Sequence, residues 1–416
     1  MKRTSLVFVK VKIILRSIII SLFKTLKKDM AKNIFSIVAF FFSIFILLPA
    51  VLVFSFSDNL LKGSKSLSAV LHSDNYGYST LNFKMPEYVL VYRNDAKENN
   101  KIPLEDYVFG VLASEMPSSF EVEALKAQAV AARTYAVAKL DVQGLLAVDN
   151  LLWSSMSTVG PTVHPTAPLC DTTHCQVYHS PDELSKIKGE YWSAFLDISS
   201  PVNKTLSITP NASPQQPEIL SSDNGSNFSS DARKIAYAVD STKGEVMLYN
   251  GQLVSQALFH SSSGGKTENS EDVFASAIPY LRSVPSTYED DASHKREITT
   301  LTYTSLTEAL NSKYPNKSTQ NVNKNTVKVL SNTEGGGVDI IKIGTEEYTG
   351  RQLREALSLY SSAFNVTCGE NAVSFVSTGY GHRVGMSQYG ANGMAKAGYS
   401  YTDILSHYYT GITVGR

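Results

Sequence analysis

The pattern of apolar and polar positions divides this chain into segments before any motif is read. Ile34 to Phe56 is a run of 23 residues without a charge, dense in Phe, Ile, Leu and Val. At 1.5 Å per residue a helix of that length crosses roughly 30 Å of hydrocarbon, so the pattern predicts one transmembrane helix over 34–56. No A-x-A-like cleavage site follows it, and the run is longer than the apolar region of a signal peptide. An earlier apolar run, Ile13–Phe23, is shorter and contains Arg16, which suits an interfacial or cytoplasmic leader. Residues 57–85 are Ser-, Asn- and Lys-containing and read as a stalk.

Beyond the stalk, Tyr88-Val89-Leu90-Val91 predicts a strand entering a folded body. Leu104 to Ala113 predicts a short helix with an apolar face, and Pro117 disfavours helical geometry at Met116, so that helix should end near Glu115. Glu121 to Leu140 predicts a longer helix rich in small residues, including Ala124, Ala127, Ala131 and Ala138. Residues 199–230 hold nine Ser, four Asn and four Pro, too polar a mixture to offset chain entropy, and read as a disordered insertion. From 296 to 366 short strands (Val327–Leu330, Val338–Ile343) alternate with Asn/Gly turns, followed by a helix whose capping box pairs Thr349 with Gln352. This segment reads as a smaller inserted α/β subdomain between two parts of a larger domain, 86–295 and 367–416. Strands and helices mix without a βαβ rhythm, so the fold class is α+β.

Charge adds direction to this outline. Lys+Arg and Asp+Glu both number 38, yet residues 1–32 hold nine basic residues and one acid, leaving 29 basic and 37 acidic residues beyond them. By the positive-inside rule the N-terminus stays cytoplasmic and everything after about residue 57 is exported from a single-pass anchor in the cell membrane. The acidic body excludes nucleic acid as a partner, because each phosphate contact needs a cation. Three cysteines exclude a disulfide scaffold.

Four segments carry candidate chemistry. Ser114-Glu115-Met116-Pro117 places a carboxylate at a helix end inside an apolar run, where desolvation raises a Glu pKa towards the range of a general acid. In the helix that follows, Gln128 and Arg133 interrupt the small face and could reach a carboxylate or a polar substrate. His164, Cys170, His174 and Cys175 offer two thiolates and two imidazoles within twelve residues, a set suited to one structural zinc ion or, through the cysteines alone, to a disulfide. Phe259 to Thr267 ends like a phosphate-binding loop but has His260 where the first glycine is required. Its hydroxyls, with His260 and Ser262, better suit sugar recognition. Gly379 to Gly390 is neither a dinucleotide fingerprint nor a nucleophile elbow. It is a glycine-permitted loop presenting Tyr380, His382, Gln388 and Tyr389, side chains fit for a polysaccharide groove.

Taken together, Leu104–Leu140, Thr173–Tyr178, Ser261–Asp272 and Gly379–Tyr409 resemble the stage II sporulation protein D family. The resemblance covers the exported part except the stalk and the insertion. It implies a lytic transglycosylase that cuts peptidoglycan glycan strands during engulfment of the forespore. It also implies partnership with stage II sporulation proteins P and M. Glu115 falls on the family's catalytic glutamate, and His164, Cys170, His174 and Cys175 fit the zinc site of some members. Glycosidases ordinarily use two carboxylates, whereas a lytic transglycosylase can work with one. Two rivals stand beside this reading. One is a hydrolase using Glu115 with a second acid such as Glu268 or Asp272. The other is a non-catalytic glycan-binding amidase enhancer.

Overall fold

A computed structural model describes residues 85–142, 166–189, 192, 230–274 and 276–416. The expected membrane span, all but the last residue of the stalk, His164 and all but the last residue of the 199–230 insertion lie outside the described residues. Among the described residues no helix is long and apolar enough to cross a membrane.

Tyr88–Arg93 (β1) and Glu98–Pro103 (β2) form an antiparallel hairpin, with Val89 and Val91 buried on one face by the two-residue period of a strand. Pro103 leads directly into Leu104–Glu115 (α1), which buries Tyr107, Val108, Val111 and Leu112. Met116 adopts extended backbone ahead of Pro117, so the helix stops at Glu115 as its sequence predicts. Val122–Val142 (α2) follows, its alanines fully buried. Leu169–Cys170 (β3) adds in parallel to β1, with Leu169 opposite Val91. Pro181–Lys188 (α3) opens with a capping box between Ser180 and Glu183. Ser230–Ser241 (α4), Val246–Tyr249 (β4) and Gln252–Leu253 (β5) come next. Four short elements then complete the first part of the body: Phe259–His260 (β6), Gly265–Lys266 (β7), Ser270–Val273 (α5) and Pro285–Ser286 (β8).

The inserted subdomain begins with Glu297–Thr302 (β9) and Tyr303–Lys313 (α6). It continues through Val327–Asn332 (β10), Val338–Ile343 (β11), Glu346–Thr349 (β12), Gly350–Leu357 (α7), Phe364–Cys368 (β13) and Ala372–Ser377 (β14). Its two sheets, ordered β10-β11-β12 and β13-β14-β9, are antiparallel throughout, so it is α+β like the body and not α/β as its sequence suggested. It has its own core of Leu306, Leu310, Ile341, Tyr348, Leu353, Val373 and Phe375. That core takes in β14, so the subdomain continues past the expected boundary at 366 because Phe364 and Phe375 pack edge-to-face across the hairpin.

The chain returns to the body through Met386–Ser387 (β15), Gln388–Lys396 (α8), Tyr401–Tyr408 (α9) and Ile412–Gly415 (β16). Here β15 pairs in parallel with β6 and β16 pairs antiparallel with β4. Helix α2 is the axis of the body: α1, α4, α8 and α9 all pack on it. Small side chains allow four neighbours to approach one helix closely, which accounts for its alanine content.

Candidate functional site

The C-terminal end of α1 is built to hold one carboxylate. Glu115 is its last residue, and Glu115 Oε1 accepts a hydrogen bond from Val177 N at 2.8 Å. Burial pushes the Glu115 carboxyl above its ordinary range, opposed by the Val177 amide and by the neighbouring Gln388 amide. Desolvation wins because the two amides stabilise the anion less than the lost water did. Gln388 is buried, and its Nε2 has no other partner among the described residues, so this donor acts on Glu115 alone. The helix end is itself capped: Lys188 Nζ donates to Ala113 O at 2.8 Å, and Ser114 Oγ donates to Gly110 O at 2.6 Å. With its one proton spent, Ser114 Oγ accepts from His179 Nδ1 at 3.0 Å, which holds that imidazole on the last turn of α1.

Glycine 110 sets the spacing between α1 and the segment bearing Val177. A Cβ there would overlap the Tyr178 ring and the His179 carbonyl oxygen. Tyr178 instead stacks on Tyr107, ring centroids 5.3 Å apart. Tyr107, which sequence reasoning passed over, is fully buried with its hydroxyl unpartnered among the described residues, and burial beside Cys175, Tyr135, Cys170 and Glu115 raises its pKa well above the ordinary value.

The cysteines lie at the start of that same segment. Donor atoms of Cys170, His174 and Cys175 fall within 4.8 Å of one another, with His174 Nδ1 3.9 Å from Cys170 Sγ and 3.6 Å from Cys175 Sγ. Tetrahedral zinc at ordinary Zn–S and Zn–N lengths sets S···N at about 3.5 Å, so the three donors fit one ion with little movement. Neither thiol is in a disulfide. Contact with Cys175 holds Cys170 down as the thiolate, to about 4, and the same contact pushes Cys175 up. Arg93 clamps the loop from behind, its Nε donating to Asp171 at 2.9 Å and its Nη2 to Glu183 at 2.6 Å.

The opposite wall comes from β6, β15 and the loops after them. His260 Nδ1 donates to Val384 O at 3.2 Å, leaving Nε2 buried and without a partner among the described residues. His382 is spent internally: its Nδ1 accepts from Val384 N at 3.1 Å and its other nitrogen meets the Phe259 carbonyl. Burial lowers both imidazoles to about 3, so both are neutral. Ser262 pairs with Tyr380 through two backbone hydrogen bonds, and its own hydroxyl is buried without a partner among the described residues. Tyr380 is 42% exposed, whereas Tyr389 packs edge-to-face on Phe120 and donates from its hydroxyl to Ser293 Oγ at 3.3 Å.

Of the residues read from sequence, the structure brings Glu115 and Gln388 together and groups His260, Ser262, Tyr380 and His382 along one wall. Arg133 stands apart. It is fully buried, donating to Glu105 at 2.6 Å and to the carbonyls of Val239 and Glu245, so its guanidinium ties α1 and α4 to α2 instead of facing a substrate. Glu268 is likewise buried, in an ion pair with Arg383. Sequence reasoning missed Glu289, a buried carboxylate that accepts from Ser263 N, Ser263 Oγ, Gly264 N, Ser286 Oγ and Ser387 Oγ. The signal was the serine-rich loop, whose buried donors require an acceptor. Through Ser387, the N-cap of α8, Glu289 fixes the start of the helix that presents Gln388.

Comparison with known proteins gives this construction its class, a sporulation protein with a cell-wall-related role. Residues 92–249 match the family described as stage II sporulation protein. The chain is 32% identical to stage II sporulation protein D of Bacillus subtilis over 89% of its length and 92% of the relative's. It is 34% identical to the protein of that name from Bacillus amyloliquefaciens over 79% of each. It is also 29% identical to the amidase enhancer of Bacillus subtilis, over 73% of this chain and 40% of that one. The chain belongs to the stage II sporulation protein D family.

Proposed function

We propose that this protein is a membrane-anchored lytic transglycosylase of peptidoglycan glycan strands, acting during forespore engulfment. The observation that carries the reading is the solitary state of Glu115: it is desolvated and reachable, while the other buried acids of the wall, Glu268 and Glu289, are committed to Arg383 and to five donors. Asp272, the other candidate second acid, is exposed on α5 and bonded by Asn269 Nδ2 at 3.2 Å.

Glu115, protonated, gives its proton to the glycosidic oxygen as the bond from muramic acid C1 breaks. The resulting carboxylate takes the proton from that sugar's C6 hydroxyl, whose oxygen bonds to C1. The product is a 1,6-anhydro end, and no water is consumed. One residue alternates as acid and base, which a carboxyl raised by burial can do near neutral pH. Val177 N and the Gln388 amide steady the anionic form between the two proton transfers.

Cys170, His174 and Cys175, with His164 as the fourth ligand, would hold a structural zinc ion that ties the Val177 segment to β3. The residues ahead of the folded body anchor the chain by residues 34–56, with the N-terminus cytoplasmic and the enzyme outside. Stage II sporulation proteins P and M are the proposed partners in the membrane complex.

Glu115→Gln keeps shape and polarity but cannot move a proton, so release of anhydro ends from peptide-free strands should fall about 10²–10⁴-fold while binding persists. Products heavier by one water would make the protein a hydrolase. The relative named amidase enhancer motivates a second reading, a non-catalytic glycan-binding subunit. That reading gains if the wild-type protein cleaves nothing and both it and Glu115→Gln stimulate an amidase equally.

A further inference from the structure

The inserted subdomain lays α7 beside the wall formed by the 260–262 and 380–382 loops, and its Arg354 makes no ion pair among the described residues. Arg354 Nε donates to Tyr360 O at 3.4 Å, and that same carbonyl accepts from Gly381 N at 2.9 Å. The guanidinium therefore sits against the glycine turn. Gly381 has φ +117, and a Cβ there would come within 2.9 Å of His260 Cβ, so the turn is closed tightly over His260. Tyr360 packs on the exposed Tyr380 and on His294, at 5.3 Å and 4.7 Å between ring centroids, and His294 meets Tyr380 at 4.8 Å.

Arg93, Arg133, Arg282, Arg351 and Arg383 each pair with a carboxylate. Arg354 has no carboxylate partner among the described residues, and its neighbour Glu355 is bound to Arg351 at 2.8 Å. Burial lowers the Arg354 pKa, and the through-space pull of Glu355 and Tyr380 does not make up for the lost water. The nearest carboxylate, Glu355, acts on it only through space and is itself bound to Arg351, while the buried His260 and His382 are neutral. A desolvated, unpaired guanidinium beside an exposed aromatic ring is arranged to take a carboxylate attached to a ring-shaped ligand, bidentate in the usual Arg–carboxylate fashion.

We infer that Arg354, with Tyr380 as the stacking surface, forms a carboxylate-binding subsite for the glycan strand. This rests on the proposed glycan substrate and deepens it. Two sources carry that chemistry: the lactyl carboxylate of muramic acid, free only where no stem peptide is attached, and the carboxylates of the stem peptide itself. The path from Glu115 is continuous in contact, from Gln388 to Tyr389, whose amide donates to Ser261 O at 3.0 Å, and from Ser262 to Tyr380.

The test uses the full chain carrying Glu115→Gln, so that strands are bound and not consumed. Binding is measured to peptide-free strands, to the same strands with their lactyl carboxylates converted to neutral amides, and to strands bearing stem peptides. Arg354→Gln should weaken binding about 10-fold or more where a carboxylate is recognised, and should leave the amidated strands unaffected. Loss confined to peptide-free strands assigns the lactyl group, and loss confined to stem-bearing strands assigns the peptide. Arg354→Lys, which keeps the charge but not the fork, should fall between. Equal loss on amidated strands, or no loss on any, overturns the subsite. Failure of the parent protein to bind any strand overturns the glycan reading and this inference with it.

Discussion

Arg383 Nη1 donates to Glu268 Oε1 at 2.5 Å, and both residues are essentially removed from solvent. The pair joins the two parts of the structure. Glu268 Oε1 also accepts from Gly337 N at 3.0 Å, and Arg383 Nη2 donates to Gly335 O at 2.7 Å, so the β10–β11 turn of the subdomain is fastened to the body through this ion pair. Arg383 holds a left-handed backbone, φ +64, to reach that position. Its Nε donates to Ser263 O at 2.7 Å, which carries the same restraint to the serine loop gathered on Glu289.

Removing one partner should therefore cost more than the pair contributes. Glu268→Gln leaves a buried guanidinium without its anion, a change typically worth about 3–5 kcal/mol. Urea unfolding of the purified chain should show that loss, with the subdomain contact weakened first. A change below about 1 kcal/mol would mean that water reaches the pair, contrary to its burial.

Gly110→Ala tests whether the α1 spacing serves Glu115. The added methyl meets the Tyr178 ring and the His179 carbonyl, and overpacking of this kind costs about 1–3 kcal/mol. The segment that yields carries Val177 N, so the hydrogen bond to Glu115 should lengthen and cleavage should fall more than the stability loss explains. Full activity in a folded Gly110→Ala protein would separate the Val177 contact from the chemistry.

Legibility in the sequence followed range along the chain. The end of α1 at Glu115 and the Thr349 capping box were readable, because Pro117 and Gln352 act within three residues of their targets. The cluster of Cys170, His174 and Cys175 was readable for the same reason. The fate of Arg133 was not, since its partner Glu105 lies on another helix and nothing local marks the pairing. Glu289 was hidden likewise: its donors come from three separated segments. Glu268 read as a free acid until Arg383, far along the chain, was placed beside it.

Metal removal is the third test. If zinc binds as proposed, the full chain should carry about one ion, chelation should lower its melting temperature, and Cys170→Ser/Cys175→Ser should carry none. Because Val177 follows the cluster closely, loss of the ion should also reduce cleavage, even though no proton passes through it. A purified protein with an intact Cys170–Cys175 disulfide and no metal would replace the ion with the alternative cross-link.

The pH dependence of stability gives the last prediction, and its sign is fixed by the direction of the Glu115 shift. Burial raises the carboxyl in the folded chain above its value in the unfolded chain. The folded state thus holds this proton more tightly. Below the ordinary carboxylate range both states are protonated and the residue costs nothing. As pH rises through the raised folded value, the folded state must either keep a proton the solution no longer favours or bury a charge, and stability falls. Glu115→Gln does not titrate, and its side-chain oxygen can still accept from Val177 N. Melting temperatures of the two proteins should therefore converge near about pH 4 and separate towards about pH 8, the glutamine variant being the more stable there. Parallel curves would mean that the carboxyl is solvated in solution, and a wild-type protein that gains relative stability with pH would reverse the sign. Either result would remove burial as the source of the raised Glu115 proton affinity, and with it the physical support for the one-carboxylate mechanism.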